Sequence, residues 1–308
     1  MVAGVTIEIS TLIQVALSLV AAIVMSFGST PVVKSFAEHV GALDVPRDNR
    51  RMHNHPIPRQ GGLAIFLGFV ISVVLFANLT RQIQSILIGT VIVVITGAID
   101  DIVDLKAWIK AIAQVGAALI AVLWGSVVIE RFSNPFAIFG LGGSYIELGA
   151  FAIPCTIIWI VAVTNSVNFI DGLDGLAVGV SGIASGTMLV TALIVADGNT
   201  AIVMAALAGA CIGFMPYNMN PAKIFQGDTG ALLLGYVLST MSVLGVFKFY
   251  AVVSFAVPFL ILALPIFDTV FAIIRRLAKG QKPWVGDKGH IHHRLINLGL
   301  TQKQAVAV

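Results

Sequence analysis

Apolar residues in this chain gather into long blocks instead of alternating with polar ones. Runs close to the length a helix needs to cross a hydrocarbon layer recur at 9–29, 61–79, 83–99, 109–128, 149–167, 175–196, 200–217, 231–247 and 250–274. The blocks lack the two-residue alternation of an outer-membrane barrel, so each is predicted to be a transmembrane helix. A last segment from Thr301 reads as the start of a tenth span that stops after eight residues, and the sequence is expected to be a shortened form of a longer protein. The predicted fold class is all-α: a polytopic transmembrane helical bundle of about nine to ten spans, with residues 1–308 as one integral-membrane domain.

Composition agrees and excludes a water-soluble domain. Of 308 residues, 58% are hydrophobic and 11% charged, and the mean hydropathy is +0.98. No basic residue precedes the first span and Lys34 follows it, which predicts an outward N-terminus and no cleaved signal peptide. Alternation then puts loops 30–60, 100–108, 168–174, 218–230 and 275–308 in the cytoplasm. Counting the first turns of adjoining helices, that side takes fifteen of the eighteen Lys and Arg residues, leaving Arg81, Arg131 and Lys248 outside. Cys155 and Cys211 lie within apolar spans, with no CxxC or histidine company, and are read as inert packing residues.

Carboxylates should not follow this rule, yet eleven of the fifteen, and all six histidines, fall on the same face. Several press against the ends of spans, which predicts a polar site there. In "VITGAIDDIVDLKAWIK", Asp100 and Asp101 follow an apolar run without a break. Adjacent carboxylates repel unless a cation lies between them or one takes a proton; a divalent cation is the simplest relief. The plain alternative is a hydrated helix end facing Lys106 and Lys110.

"TNSVNFIDGLDG" sets Asn165, Asn168, Asp171 and Asp174 three residues apart, roughly along one face of a helical or turn-like backbone. Amides suit a base or an amide-bearing sugar, and carboxylates accept from ring N–H and hydroxyl groups or bind a hard metal; a polar helix cap is the alternative. "NMNPAKIFQGDTGALLLG" adds Asp228 in a glycine-rich turn whose backbone N–H groups are expected to be able to hold phosphate. Phe225 is placed to stack on a base or to anchor at the membrane interface. "RRLAKGQKPWVGDKGHIHHRLINLGL" clusters His290, His292 and His293 beside Arg294, suited to a diphosphate or to zinc, with contact to anionic lipid explaining part of the charge.

Together these segments resemble the polyprenyl-phosphate N-acetylhexosaminyl-1-phosphate transferases, the family of the WecA/TagO enzymes and the MraY translocases. The similarity spans nearly the whole chain in order: "LDVPRDNRRMHNHPIPRQGG", "DDIVDLKAWIK", "NSVNFIDGLDGLA", "NMNPAKIFQGDTG" and "GHIHHRLINLGL". "HIHHRL" looks like the WecA/TagO pattern, whereas the MraY group carries three consecutive histidines. Asp104 stands where that group usually has lysine, and Arg51 where many relatives have lysine.

The resemblance implies a single integral-membrane transferase domain in the bacterial inner membrane, with its active site at the cytoplasmic face. The implied donor is a UDP-N-acetylhexosamine, most often UDP-N-acetylglucosamine. The acceptor is undecaprenyl phosphate and the cofactor Mg2+, with Mn2+ as a substitute. No nucleic-acid partner is implied; membrane lipids surround the chain, and a homodimer is among the assemblies it allows. The product would feed an envelope glycan such as teichoic acid or lipopolysaccharide O-antigen.

By the same resemblance Asp228 is the leading metal ligand, with Asp100 and Asp101 close to the metal and to the acceptor phosphate, the three forming the catalytic set. Asn168, Asp171 and Asp174 would contact the nucleotide, and Asn218, Phe225 and Gly227 would line the uridine pocket. Lys110, His290, His292, His293 and Arg294 would hold the diphosphate and sugar, while Arg50, Arg51 and His53 help to close the site. Two other classes compete. A UbiA-like intramembrane prenyltransferase would show paired Asp-rich motifs, and an ion-coupled secondary transporter would carry mid-membrane charges on opposed repeats.

Overall fold

In the computed structural model, residues 8–45, 55–134, 142–143, 145–246, 266–268, 271, 274, 295–296 and 298–307 are described. They include nine α-helices and two short antiparallel strand pairs. The helices are α1 (Ile9–His39), α2 (Gly62–Phe76), α3 (Arg81–Val103), α4 (Ala107–Leu119), α5 (Ala152–Ile170), α6 (Leu176–Ile194), α7 (Gly198–Asn218), α8 (Gly227–Met241) and a short α9 (Gln302–Ala307). π-helical turns at Ile120–Trp124 and Ser242–Val246 prolong α4 and α8. The strands are β1 (Leu43–Asp44) with β2 (Ile57–Pro58), and β3 (Arg131–Ser133) with β4 (Tyr145–Glu147).

Seven of the helical stretches are long and apolar enough to cross a membrane, and α2 is a shorter apolar helix. Eight predicted spans thus have a helix each. The ninth, 250–274, falls almost wholly outside the described residues. Boundaries move for local reasons. α1 runs ten residues beyond its predicted end at 29, because Lys34 and Glu38 are no obstacle to a helix and no left-handed residue intervenes before Gly41, at φ +75°. At 31 residues it is about 46 Å long, well over a hydrocarbon thickness, and its last turns stay packed, with Val33, Ala37 and the following Ala42 buried. α2 stops early: Asn78 and Asn199 exchange hydrogen bonds (2.8 and 3.0 Å), and the Thr80 hydroxyl caps α3 at Ile83 N (3.4 Å).

α7 and α8 form the interior. α7 is flanked by α1, α2 and α6, and α8 by α3 and α5. Small residues let the backbones close. A Cβ on Gly62 would run into the backbone of Gly230, so α2 and α8 touch main chain to main chain. The chain entering α2 is also bonded to the chain entering α8: Gly61 N and Gly62 N donate to Phe225 O and Gln226 O (both 2.8 Å), and Phe225 N to Pro58 O (2.8 Å). These bonds fix segment 58–62 against segment 225–227, at the end of the bundle where α3 and α5 also finish.

Candidate active site

The acids at the span ends converge. Asp100 and Asp101 occupy the last turn of α3, Asp228 the first turn of α8, and Lys110 the first turn of α4. The "GDTG" stretch is therefore the opening of α8 itself and not a turn before it. Lys110 Nζ lies 2.7 Å from Asp228 Oδ2 and 3.0 Å from Asp100 Oδ2, bridging the two carboxylates. Asp100 Oδ1 accepts from Leu105 N (2.6 Å) across the left-handed residue Asp104, which ends α3. The Asn168 side chain reaches Asp228 from α5.

Asp101 has a different set of neighbours. Its Oδ1 accepts from Asp228 N (2.9 Å) and lies 3.4 Å from Arg59 Nε; its Oδ2 accepts from Thr229 N (3.1 Å) and Thr229 Oγ1 (2.6 Å). A carboxylate with two donors on each oxygen is committed to the protein. It closes the N-terminus of α8, so the Asp228 and Thr229 amides that the sequence offered to a phosphate are taken. Gly227 makes this possible: its φ is +69°, and a Cβ there would strike the Asp101 carboxyl.

Beside this cluster is a cavity of about 320 Å³, within the range of small-molecule sites. Asn168, Asp171, Gly172, Leu173 and Asp174 line one wall, Asn218 and Phe225 to Asp228 another, with Arg59, Asp44 and Gln302 at the margins. Asn218 braces it, accepting from Gly175 N (3.2 Å) and donating to Ile224 O (3.1 Å). Asp174 Oδ2 accepts from Asn220 Nδ2 and Ala222 N (both 3.0 Å). Asn165 lies elsewhere: it exchanges hydrogen bonds with Gln114 of α4 (2.6 and 3.4 Å), so only the later three of the four spaced polar residues reach the cavity.

Arg59, Gln226 and Gln302 were not among the expected site residues. Arg59 arrives through the 58–62 segment; the adjacent "GG" was the one hint that this stretch needs close packing. Gln226 is 1% exposed, and among the described residues neither of its side-chain polar atoms has a hydrogen bond of good geometry, although the amide lies beside Asp171. A buried unpaired amide costs on the order of 1–3 kcal/mol and is an attachment point for a ligand or water. Of the expected residues, Arg50, Arg51, His53, His290, His292, His293 and Arg294 lie outside the described residues.

Asp171 follows the end of α5. Burial pushes its carboxyl up to about 7; the neighbouring Gln226 amide opposes this, the charges of Asp228 and Asp101 add to the rise, and Arg59 also opposes it. A carboxyl whose folded value exceeds its unfolded one binds more protons when folded, so its contribution to stability falls as pH climbs from about 4 to about 7. Asp171→Asn should therefore melt several degrees higher than the parent at pH 8. The difference should shrink steadily as pH falls and vanish only near pH 4, where the unfolded carboxyl is also protonated. Thermal melts across that range decide it; a gain that does not depend on pH counts against a half-buried, titrating Asp171.

The described lining holds Asp44, Asp171, Asp174 and Asp228 against Arg59, an excess of acid. Among the described residues no group of three or more His, Cys, Asp and Glu side chains is placed to hold a metal ion by itself. Oxygen ligands in small number fit a magnesium ion, which keeps waters and takes the rest of its shell from substrate phosphates.

Fold and site together define a polytopic membrane protein with a lysine-bridged acidic centre at one end of its bundle. The chain belongs to glycosyl transferase family 4, whose profile residues 83–246 match. It is 43% identical over 282 residues to a probable undecaprenyl-phosphate N-acetylglucosaminyl 1-phosphate transferase of Bacillus subtilis, covering 91% of this chain and 76% of that protein. To the decaprenyl-phosphate N-acetylglucosaminephosphotransferase of Mycobacterium tuberculosis it is 33% identical over 328 residues, 94% of this chain and 77% of the other. A phospho-N-acetylmuramoyl-pentapeptide-transferase of Thermoanaerobacter is 33% identical over 242 residues, 75% of each chain. The family and its WecA/TagO-like branch, expected from the motifs, are thereby shown.

Proposed function

We propose that this protein transfers N-acetylglucosamine 1-phosphate from UDP-N-acetylglucosamine to a polyprenyl phosphate, leaving a lipid diphosphate sugar in the membrane and releasing UMP. The observation that carries the reading is the junction of the Asp100–Lys110–Asp228 cluster with a cavity walled by Asn168, Asp171, Asp174 and Phe225. The printed activities of the relatives support the sugar phosphate and the prenyl acceptor.

A phosphate oxygen of the lipid bonds to the sugar-linked phosphorus, the bond from that phosphorus to the bridging oxygen breaks, and the electron pair leaves with UMP. Such transfers rest on in-line positioning and charge neutralisation. Asp100 orients the acceptor phosphate or takes its proton. Lys110 neutralises charge between the reacting groups. Phe225 stacks on the uracil while Asn168, Asp171 and Asp174 meet the rest of the donor. Asp228 and Asp100 are the residues that would hold magnesium, which supplies charge neutralisation across the diphosphate. The acid-rich lining favours this, since an anionic donor needs added cations there. The surplus of Lys and Arg on this face supports a cytoplasmic orientation in the inner membrane.

Purified protein in detergent, given undecaprenyl phosphate and UDP-N-acetylglucosamine, should release UMP with magnesium and none with EDTA. EDTA-resistant release would remove the metal from the scheme, and inorganic diphosphate in place of UMP would make this a prenyltransferase.

A further inference from the structure

The last described helix, α9, reaches the cavity. α9 is fixed at its start by reciprocal bonds between Thr301 and Gln304: Thr301 N donates to Gln304 Oε1 (2.9 Å) and Gln304 N to Thr301 Oγ1 (3.3 Å). It docks through Ala305, which is buried with Leu173 and Leu176, residues of the loop between α5 and α6 and of the first turn of α6. That docking puts Gln302 at the cavity margin.

Gln302 Oε1 accepts from Asn220 Nδ2 at 2.8 Å, and the same Nδ2 donates to Asp174 Oδ2 at 3.0 Å. One amide group thus ties together three segments remote in sequence. Asp174 Oδ2 is occupied by Asn220 and Ala222, whereas Oδ1 accepts no hydrogen bond from the described residues. With the carboxyl held by one oxygen, the other is left for a hydroxyl or ring N–H of a ligand. The Gln302 amide nitrogen is likewise without a protein partner among the described residues.

We propose that Gln302 is a positioning residue of the donor cavity, acting through Asn220 to hold Asp174 in the orientation that binds the nucleotide. The inference rests on the cavity being the nucleotide site.

The experiment is calorimetric titration of UMP into the detergent-solubilised full chain, with Gln302→Ala, Asn220→Ala, the double variant and, as a control on the exposed side of α9, Lys303→Ala. Losing one net hydrogen bond of about 1 kcal/mol corresponds to roughly fivefold in affinity. Each single variant should therefore bind UMP about fivefold more weakly, the double variant no more weakly than either single, and Lys303→Ala as the parent does. The singles should coincide with the double because all three lose one shared element. Parental affinity in Gln302→Ala, or losses that multiply in the double variant, would overturn the latch while leaving the nucleotide reading in place. A parent that binds no UMP would defeat both. Asn220→Ala keeps the test open should Gln302→Ala prove poorly folded.

Discussion

Asp228→Asn is expected to lower turnover about a thousandfold and leave the melting temperature within a degree or two, a loss on the scale of removing a central charged group from a preorganised site. The small thermal effect follows from geometry. Lys110 keeps Asp100 at 3.0 Å when Asp228 is neutralised, so no buried cation is orphaned. The asparagine also retains the side-chain shape in the first turn of α8. Steady-state UMP release and a melt on the same preparation test both halves. Turnover above a tenth of the parent's would remove Asp228 from the reaction.

The same chemical change at Asp101 should behave oppositely. In Asp101→Asn one acceptor oxygen becomes an NH2 facing N–H and O–H donors, and Arg59 loses its counter-charge. Breaking a buried ion pair from one side costs about 3–5 kcal/mol, which in a protein of this size is roughly ten degrees of melting temperature. Asp101→Asn should therefore melt about ten degrees lower, and its activity should fall with the fraction folded and with the displacement of α8. A melting temperature like the parent's would show that the bonds from Asp228 N, Thr229 and Arg59 do not hold the N-terminus of α8. The expected drop would give adjacent residues of one motif separate tasks: Asp100 with its Lys110 bridge at the reaction, Asp101 holding the helix that presents Asp228.

Those tasks were not legible in the sequence, and the reason is distance along the chain. That acids at the ends of apolar runs form a site could be read from Asp100, Asp171 and Asp228, because a carboxylate against a membrane span costs too much to be casual. Which of the paired aspartates met a helix N-terminus depended on contacts 127 and 128 residues away. The helix register could not give that. Asn165 shows the reverse error. Its spacing matched the site residues, yet on α5 it turns to Gln114, because one shared period cannot separate neighbours three residues apart when the next helix offers an amide. Arg59, Gln226 and Gln302 are ordinary loop and helix-end residues by type, and only the bonds from Gly61, Gly62 and Asn220 bring them to the cavity.

The helices themselves were nearly all readable, since an unbroken apolar run near bilayer length has few other solutions. Their ends were less so. The prediction for α2 ran through Ala77 to Leu79, which are apolar or neutral, and the Asn78–Asn199 exchange that ends the helix joins residues 121 apart.

The Gln114–Asn165 pair has one more consequence. Gln114 lies one helical turn, about 6 Å, beyond Lys110 along α4, and past it the facing surfaces are aliphatic, with Ala117, Ala118, Ala121 and Val122 on α4 and Ile160 and Val163 on α5 all buried. The paired amides lie at the boundary between the charged cluster and that aliphatic packing. A charged centre set into the head of a helical bundle is a potential leak for protons and salt; the close aliphatic packing between α4 and α5 beneath it raises the cost of carrying an ion through that interface.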